Sequence, residues 1–328
     1  MLHVGPINTR GGIASVIRLL SESPPDGWKA ETLATHTEGS NLAKLLCWRK
    51  ARKTLIRRLK SNPPDLVQIH TASDYSWWRK KRVALLARKV GVKVVIHIHS
   101  GRFDEFCRMG AGNEVKRICS MDGIEVVTLS QVWHDRLEEW VGDSTIIHNP
   151  VDPDIRMKDV ERKDNQILFM GRDDPIKNAG LAIKAVEMAR KTNPELQLMM
   201  TGIDSSHALA APYSGQGWLN ALGWVSEEEK RLLLNESTML LVPSQFECQP
   251  MVVLEAQACG LPVLGSAAVA EVIDGVHNVG NWKVDDWCKA VLERNQYVDS
   301  QKADVRAVDF QECWRRSYSL MRNSTSRE

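Results

Sequence analysis

Residues 239–265 read MLLVPSQFECQPMVVLEAQACGLPVLG and contain the clearest structural pattern of the chain. The apolar run Met239–Val242 predicts a buried strand. Pro250 suits the start of a helix, where its missing N–H leaves no hydrogen bond unmade. Gly260 suits the left-handed position just past the end of that helix, and Pro262 stops its continuation before the next strand. A strand, a helix and a strand in this order predict one unit of a parallel α/β sheet.

The same alternation extends in both directions along the chain. Five further strands are predicted before position 150 and three more after 165: Leu2–Gly5, Leu66–His70, Lys93–His99, Glu125–Leu129 and Thr145–His148, then Gln166–Met170, Leu196–Thr201 and Pro262–Gly265. Helices are predicted between them at Gly12–Leu20, Val83–Val90, Ala179–Lys191 and Ser226–Asn235.

The stretch from Asn149 to Asp154 contains two prolines and no apolar periodicity, which is typical of an interdomain link. We therefore predict two Rossmann-like domains with parallel sheets, over residues 1–152 and 153–308. A C-terminal helix over 309–328 is expected to return to the first domain. An ordinary loop within one nine-stranded sheet is the alternative.

The amino-acid composition excludes several classes of protein. The 328 residues include 43 basic and 41 acidic side chains, and this near balance excludes a uniformly basic, nucleic-acid-coating protein. No apolar run approaches the roughly 20 residues of a membrane-spanning helix. The N-terminus lacks the apolar stretch of a signal peptide. The seven cysteines show no C-x-x-C spacing, so we expect reduced thiols, a cytoplasmic location and no zinc site.

Residues that follow strands are the candidates for chemistry, because ligands of such folds bind at the carboxyl ends of the strands. Gly11 and Gly12 precede a helix, where backbone N–H groups can approach a phosphate; a simple tight turn is the alternative. His99 ends the third strand. We assign His97 to the opposite face of that strand, which leaves His99 alone at the candidate site.

The second half of the chain carries four charged candidates. Arg172 and Lys177 follow a strand and precede a helix, which suits a diphosphate; neutralisation by Asp173 and Asp174 in a solvated loop is the alternative. Glu247 lies before the helix that follows Pro250, and Glu255 lies inside it. A carboxylate in so apolar a helix needs a polar partner, and a ribose diol is one such partner.

Two glutamates with seven residues between them, followed by Ala256 and the Gly260-Leu261-Pro262-Val263 strand entry, resemble the signature of the family 4 retaining glycosyltransferases. The ordered set of other pieces supports the resemblance: the Gly11-Gly12 loop, His99, Ser130, the link at Asn149, Gly171-Arg172 with Lys177, Gly223-Trp224-Val225 and Pro243-Ser244. The resemblance implies the GT-B fold, in which two Rossmann-like domains face each other across a cleft.

The resemblance also implies roles for particular residues. Arg172 and Lys177 would hold the diphosphate of a nucleotide sugar, with a UDP-sugar favoured, and Glu255 would bind the ribose. Glu247 and His99 would lie near the transferred sugar. The donor-binding backbone would come from Gly11, Gly12, Gly171, Met251 and Val252. Hexosyl transfer would retain the anomeric configuration and need neither metal nor cofactor.

One departure from the family pattern follows Glu247. Many relatives have Gly-Phe-Gly there, whereas this chain has Cys248-Gln249-Pro250. Loss of those glycines removes a close backbone approach to the sugar, so a protein that binds nucleotide sugars without catalysis is one alternative. A nucleotide-sugar epimerase on the same fold is the enzymatic alternative.

Positive charge is concentrated in the first half of the chain. Up to Pro150 there are 23 basic and 15 acidic residues, and positions 44–60 contain eight basic residues and no acidic one. A predicted basic helix there carries Trp48, Arg49, Lys53 and Arg57, and Trp77 and Trp78 precede a second basic run. Tryptophan beside cations is typical of contact with anionic membrane surfaces. We therefore expect a lipid-linked or cell-surface glycan acceptor, and peripheral association with the inner face of the cytoplasmic membrane. A solvated helix packed on the sheet is the alternative.

Overall fold

The computed structural model describes residues 1–293 of the chain, so the predicted helix over 309–328 lies outside the described residues. The described chain forms two compact units, Met1–Pro150 and a second that begins at Val151. Each unit is a parallel sheet with helices between successive strands. The change of unit falls within the proline-containing stretch that the sequence marks as a link.

The first unit has six parallel strands in the order β2-β1-β3-β4-β5-β6. Its elements are β1 (Leu2–Gly5), α1 (Gly12–Glu22), β2 (Glu31–Ala34), α2 (Asn41–Ser61), β3 (Leu66–Thr71), α3 (Tyr75–Arg88), β4 (Lys93–Ile98), α4 (Phe103–Phe106), α5 (Gly112–Cys119), β5 (Ile124–Thr128), α6 (Gln131–Val141) and β6 (Thr145–Ile146). A π-helical turn over Cys107–Ala111 joins α4 to α5.

The second unit also has six parallel strands, in the order β12-β11-β10-β7-β8-β9. Its elements are β7 (Gln166–Met170), α7 (Ala179–Ala189), β8 (Gln197–Thr201), β9 (Leu219–Ala221), α8 (Glu227–Glu236), β10 (Met239–Val242), α9 (Met251–Ala258), β11 (Val263–Ser266), α10 (Ala267–Ala270), β12 (His277–Gly280) and α11 (Val284–Leu292). Short 3₁₀ turns lie at Pro175–Lys177 and Ala211–Tyr213.

The predicted fold class, α/β with two parallel Rossmann-like sheets, is confirmed. Nine of the twelve strands within residues 1–293 coincide with predicted ones within a few residues, and the three that the sequence did not indicate are β2, β9 and β12. Each of these lies at the edge of its sheet and is partly exposed along its length. An edge strand buries less side-chain surface, so it lacks the continuous apolar run by which the inner strands are recognised.

The second sheet is buried on both faces, and this burial positions its loops. One apolar cluster packs α7 and α11 against one face, and another packs α8 and α9 against the other. β7 and β10 are neighbours in register, with Met239 beside Ile167 and Leu241 beside Phe169. The loops that leave their carboxyl ends, residues 171–178 and 243–250, therefore begin side by side.

Candidate functional site

The loops after β7 and β10 bring Lys177 and Glu247 into direct contact. Lys177 Nζ donates to Glu247 Oε1 at 2.5 Å, although the two residues are 70 positions apart. The backbone N–H of Gln245 also donates to the carbonyl of Ile176, which joins the two loops beside this pair. The Lys177 side chain keeps 27% of its surface exposed and Glu247 keeps 9%. An ammonium has three donors, so Lys177 can bind a further acceptor without leaving Glu247.

Arg172 lies on the same loop and is more exposed than Lys177, with 57% of its side chain accessible. Its Nη2 donates to Asp174 at 3.1 Å, and Asp174 also accepts the N–H of Ile176 at the start of the 3₁₀ turn. Asp173 instead lies 2.9 Å from His207. Asp174 therefore shapes the loop and holds Arg172, Asp173 contacts His207, and Lys177 is held by Glu247.

Glu255 is buried in α9 beside Lys230 of α8. Lys230 Nζ lies 3.0 Å from Glu255 Oε1 and 2.7 Å from Glu227 Oε2. Burial raises the pKa of Glu255, and the neighbouring ammonium offsets part of this rise. The pKa of Lys230 is raised, because the charges of Glu255 and Glu227 outweigh the effect of its burial. The second oxygen of Glu255 accepts no hydrogen bond within residues 1–293, so it can accept one from a ligand.

Glycine allows the loops after β7 and β8 to touch. A Cβ on Gly202 would lie 2.4 Å from the Gly171 carbonyl oxygen, and Gly202 has a positive φ of 82°. The N–H of Gly171 donates to the Thr201 carbonyl at 3.2 Å, so this amide is used inside the loop pair. Met251 and Val252 contribute the first two amides of α9, which the helix itself does not bond. These amides are available to an anion at the end of the helix.

The first unit holds four histidines in contact, and this corrects the assignment of His97 and His99 to opposite faces. Residues two apart on a strand share a face, and the two rings lie 4.1 Å apart between centroids. His70 on β3 joins them, because its Nδ1 lies 3.1 Å from His99 Nε2. His70 Nε2 in turn lies 3.1 Å from Nδ1 of His3 on β1.

All four imidazoles are held in the neutral form. Burial lowers the pKa of His3 and His99 to about 3, and burial with neighbouring imidazoles lowers those of His70 and His97 well below the usual value. Because Nε2 of His99 faces His70, Nδ1 is the atom through which His99 can contact a group outside the histidine cluster.

Lys80 of α3 lies near this cluster and is fully buried. Burial lowers its pKa to about 7, with the Arg79 charge adding to the shift. Its ammonium donates to the Ser76 hydroxyl at 3.3 Å, and no carboxylate in the described part of the chain is within ion-pair distance of it. Its charge contributes to the lowered pKa values of both His70 and His99.

The backbone of the Gly11-Gly12 loop has the conformation expected where a phosphate approaches it closely. Gly11 precedes α1 with φ 136°, a conformation that favours glycine, and its carbonyl accepts the N–H groups of Ala14 and Ser15. Gly12 is the first residue of α1 and is exposed.

The basic helix forms as α2, but its apolar residues divide into two groups. Leu55 and Leu59 are buried near its C-terminal end, whereas Leu42, Leu45 and Leu46 are exposed by 64%, 44% and 54%. On the polar side, Arg49, Lys53 and Arg57 are exposed, and Trp48 is half-buried. The C-terminal half of α2 therefore packs on its unit, whereas the N-terminal half exposes leucines beside basic residues.

The second basic run is largely used inside the unit, which corrects its proposed surface role. Trp77 is fully buried against Phe103, so it is a core residue. Trp78 is half-buried and stacks under the Lys81 ammonium at 4.2 Å, and Lys81 pairs with Glu114 at 2.7 Å.

Two features of the site were missed by sequence reasoning. Lys230 lies 25 positions before Glu255 on a separate helix, and no local motif marks it. His70 lies one residue before the end of β3, which pairs with β4, and the consecutive predicted strands that end at His70 and His99 could have indicated it.

Comparisons with known proteins show what the chain resembles. Residues 152–278 match the family model for glycosyl transferases group 1. The D-inositol 3-phosphate glycosyltransferase of Mycolicibacterium smegmatis is 27% identical over 180 residues, which is 49% of this chain and 40% of that protein. The chain thus spans about two fifths of the length of the curated relatives it matches.

Solved structures resemble the chain over its whole length. HepE from Anabaena, in complex with UDP and glucose, has a TM-score of 0.69 at 15% identity, over 98% of each chain. Sucrose-phosphate synthase from Thermosynechococcus elongatus has a TM-score of 0.70 at 16% identity, over 100% of this chain and 99% of that one. The resemblance to the GT-B glycosyltransferases is thereby confirmed, and the fold is that of these enzymes.

Proposed function

We propose that the protein is a nucleotide-sugar-dependent, retaining glycosyltransferase. The observation that carries the proposal is the Lys177–Glu247 contact at the carboxyl ends of two adjacent strands. Two further features support it, namely the exposed guanidinium of Arg172 and the buried Glu255. Cations, a helix N-terminus and a buried carboxylate together suit a nucleoside diphosphate joined to a sugar.

The donor is proposed to bind through its diphosphate and its ribose. The two donors of Lys177 that Glu247 leaves available, the remaining donors of Arg172 and the first amides of α9 would contact phosphate oxygens. Glu255 would accept from the ribose hydroxyls while Lys230 holds its other oxygen. UDP is the favoured nucleotide, and HepE, of similar fold, is complexed with UDP.

Transfer is proposed to depend on stabilising the leaving diphosphate. Charge develops on its oxygens as the sugar bond breaks, and the fixed positive groups Lys177 and Arg172 stabilise that charge without rearrangement. Glu247 keeps Lys177 in position, and His99 would contact sugar hydroxyls through Nδ1. The acceptor would attack from the face that the diphosphate leaves, with a phosphate oxygen taking its proton, which retains the configuration. This scheme assigns the diphosphate no metal ion.

Labelled UDP-, GDP-, ADP- and dTDP-sugars test the proposal. A thermal-shift screen identifies the donor, because a ligand that binds only the folded state raises its stability. We expect a UDP-sugar to bind and to be hydrolysed slowly without acceptor. Tight binding without hydrolysis or transfer to any acceptor would favour the binding protein. Conversion of the sugar to its epimer would favour the epimerase.

The acceptor is proposed to be a lipid-linked or cell-surface glycan, reached by peripheral association with an anionic membrane. No described helix has both the length and the low charge needed to cross a bilayer. The support is α2, which exposes Leu42, Leu45 and Leu46 beside basic residues. Apolar residues that insert below the headgroups and cations that face them favour such surfaces.

Co-sedimentation with vesicles tests the membrane part separately. We expect the chain to bind vesicles containing anionic phospholipid and to remain unbound with neutral vesicles. Replacing Leu45 and Leu46 by Ser should weaken binding, while the matched replacement of exposed Leu209 and Leu232 in the second unit should not. Equal sedimentation with both kinds of vesicle would contradict membrane association through α2.

A further inference from the structure

Three imidazoles in the first unit have the arrangement of a metal site. His97 lies on β4 and His99 follows the last residue of that strand, so the two share a face, and His70 on β3 is the direct register partner of His97. One nitrogen from each of the three lies within 4.8 Å of the others. Three histidines that leave one coordination position open are a recurrent ligand set for zinc.

The distances are close to those that a tetrahedral ion requires. Zinc–nitrogen bonds of about 2.1 Å place two ligating nitrogens about 3.4 Å apart. His70 Nδ1 and His99 Nε2 already lie 3.1 Å apart. The three nitrogens lie within 4.8 Å of one another, so binding an ion requires the third imidazole to move closer to the other two.

The groups behind the histidines can orient them as ligands. If His70 ligates through Nδ1, its Nε2–H donates to Nδ1 of His3, which lies 3.1 Å away. If His97 ligates through Nε2, its Nδ1–H points to the Gln68 side chain, whose amide lies 3.5 Å away. Such partners fix the ring orientation and tautomer of ligating histidines.

Several buried side-chain atoms of residues 1–293 have no hydrogen bond, and two of these atoms belong to His97 and to the neighbouring Gln68. His97 Nε2 and Gln68 Oε1 are enclosed without a partner, and the two side chains are 2% and 1% exposed. An ion on His97 Nε2 would satisfy the first atom. The second would be satisfied by a half-turn of the Gln68 amide, which presents Oε1 to the Nδ1–H of His97.

We propose that His70, His97 and His99 form a binding site for Zn²⁺ or a related divalent transition-metal ion, oriented by His3 and Gln68. The site departs from the sequence-based expectation of no metal. It goes beyond the proposed function and does not depend on it, because binding is measured without any sugar nucleotide. Imidazole nitrogens suit zinc, copper and nickel better than magnesium or calcium.

The test titrates the full chain, stripped with a chelator, with ZnCl₂ in a calorimeter and with CoCl₂ in a spectrophotometer. We expect one ion per chain and the strong visible absorption of four-coordinate Co²⁺. His97→Asn should abolish the Co²⁺ absorption and weaken Zn²⁺ binding at least tenfold. Gln68→Leu should weaken Zn²⁺ binding about tenfold, as the loss of an outer partner does. His207→Asn, which removes a histidine of the second unit, should bind as wild type.

Lys80→Met keeps the test decisive if the other variants fail to fold. Lys80 places a positive charge near the site, so its removal should tighten Zn²⁺ binding several-fold, which a purely structural effect would not do. Circular dichroism checks that each variant is folded. The proposal is overturned if the wild type binds neither ion, or if folded His97→Asn binds both as the wild type does.

Discussion

The buried polar groups of the two units have different kinds of partner. In the second, the lysines of the candidate site are held by carboxylates, as in Lys177–Glu247 and Lys230–Glu255. In the first, the buried polar groups include neutral imidazoles and a lysine, Lys80, whose hydrogen-bond partner is a hydroxyl. Paired charges hold a fixed positive group ready for an anionic leaving group, whereas imidazoles suit hydroxyl groups or a metal ion.

The largest effect is expected at the fixed cation of the second unit. Lys177→Ala should lower the rate of donor turnover by about 10²–10³, the usual cost of removing one group that stabilises developing negative charge. The matched control is Lys184→Ala, which removes an exposed lysine from α7 of the same unit and should leave the rate unchanged. Steady-state kinetics with the labelled donor measure both. Equal losses in the two variants would show that general charge, and not position, matters.

The contribution of the Lys230–Glu255 pair of the second unit can be measured as a change in the free energy of unfolding. Glu255→Gln and Lys230→Met each remove one member of a largely buried pair, which costs up to about 3–5 kcal/mol when the other charge is left uncompensated. Glu227 remains beside Lys230, so Glu255→Gln should cost less than Lys230→Met.

The double variant measures the coupling within this pair. Its loss in the free energy of unfolding should be smaller than the sum of the two single losses by about 1–3 kcal/mol. Urea denaturation supplies the three values. Strict additivity would mean that the pair is not coupled and that Glu255 is held by other contacts.

A smaller effect is expected from the glycine contact behind the diphosphate loop. Gly202→Ala would place a Cβ 2.4 Å from the Gly171 carbonyl, whereas Gly217→Ala meets nothing within 4 Å, and both glycines have positive φ. Each variant should lose about 1 kcal/mol through its backbone conformation. Gly202→Ala should lose more stability and should also weaken donor binding, and thermal melts with and without donor measure this. Equal behaviour of the two variants would exclude a role for the contact.

The sequence predicts the inner framework of the fold well, for physical reasons. Inner strands are continuous apolar runs, and Gly260 takes the positive φ of 62° expected just past the end of α9. Edge strands such as β2 are not predicted, because they are partly exposed and lack a continuous apolar run. Strand-end position predicts that Lys177 and Glu247 belong to the site.

The pairing of site residues needed the structure. Lys230 meets Glu255 only because α8 and α9 pack on the same face of the sheet. The burial of Trp77 shows a limit of predicting exposure from sequence, since a tryptophan beside cations on a helix can equally be a core residue. The local sequence pattern predicts which loops contain the site residues. Tertiary packing determines which of these residues contact each other and which side chains are exposed.

Calorimetric titration of the chain with UDP tests the central claim most directly, because it needs neither the sugar nor the acceptor. The account predicts one binding site per chain, with affinity lowered at least tenfold by Lys177→Ala and by Glu255→Ala and unchanged by Lys184→Ala. Folded Lys177→Ala and Glu255→Ala variants that bind UDP as tightly as the wild type would contradict it.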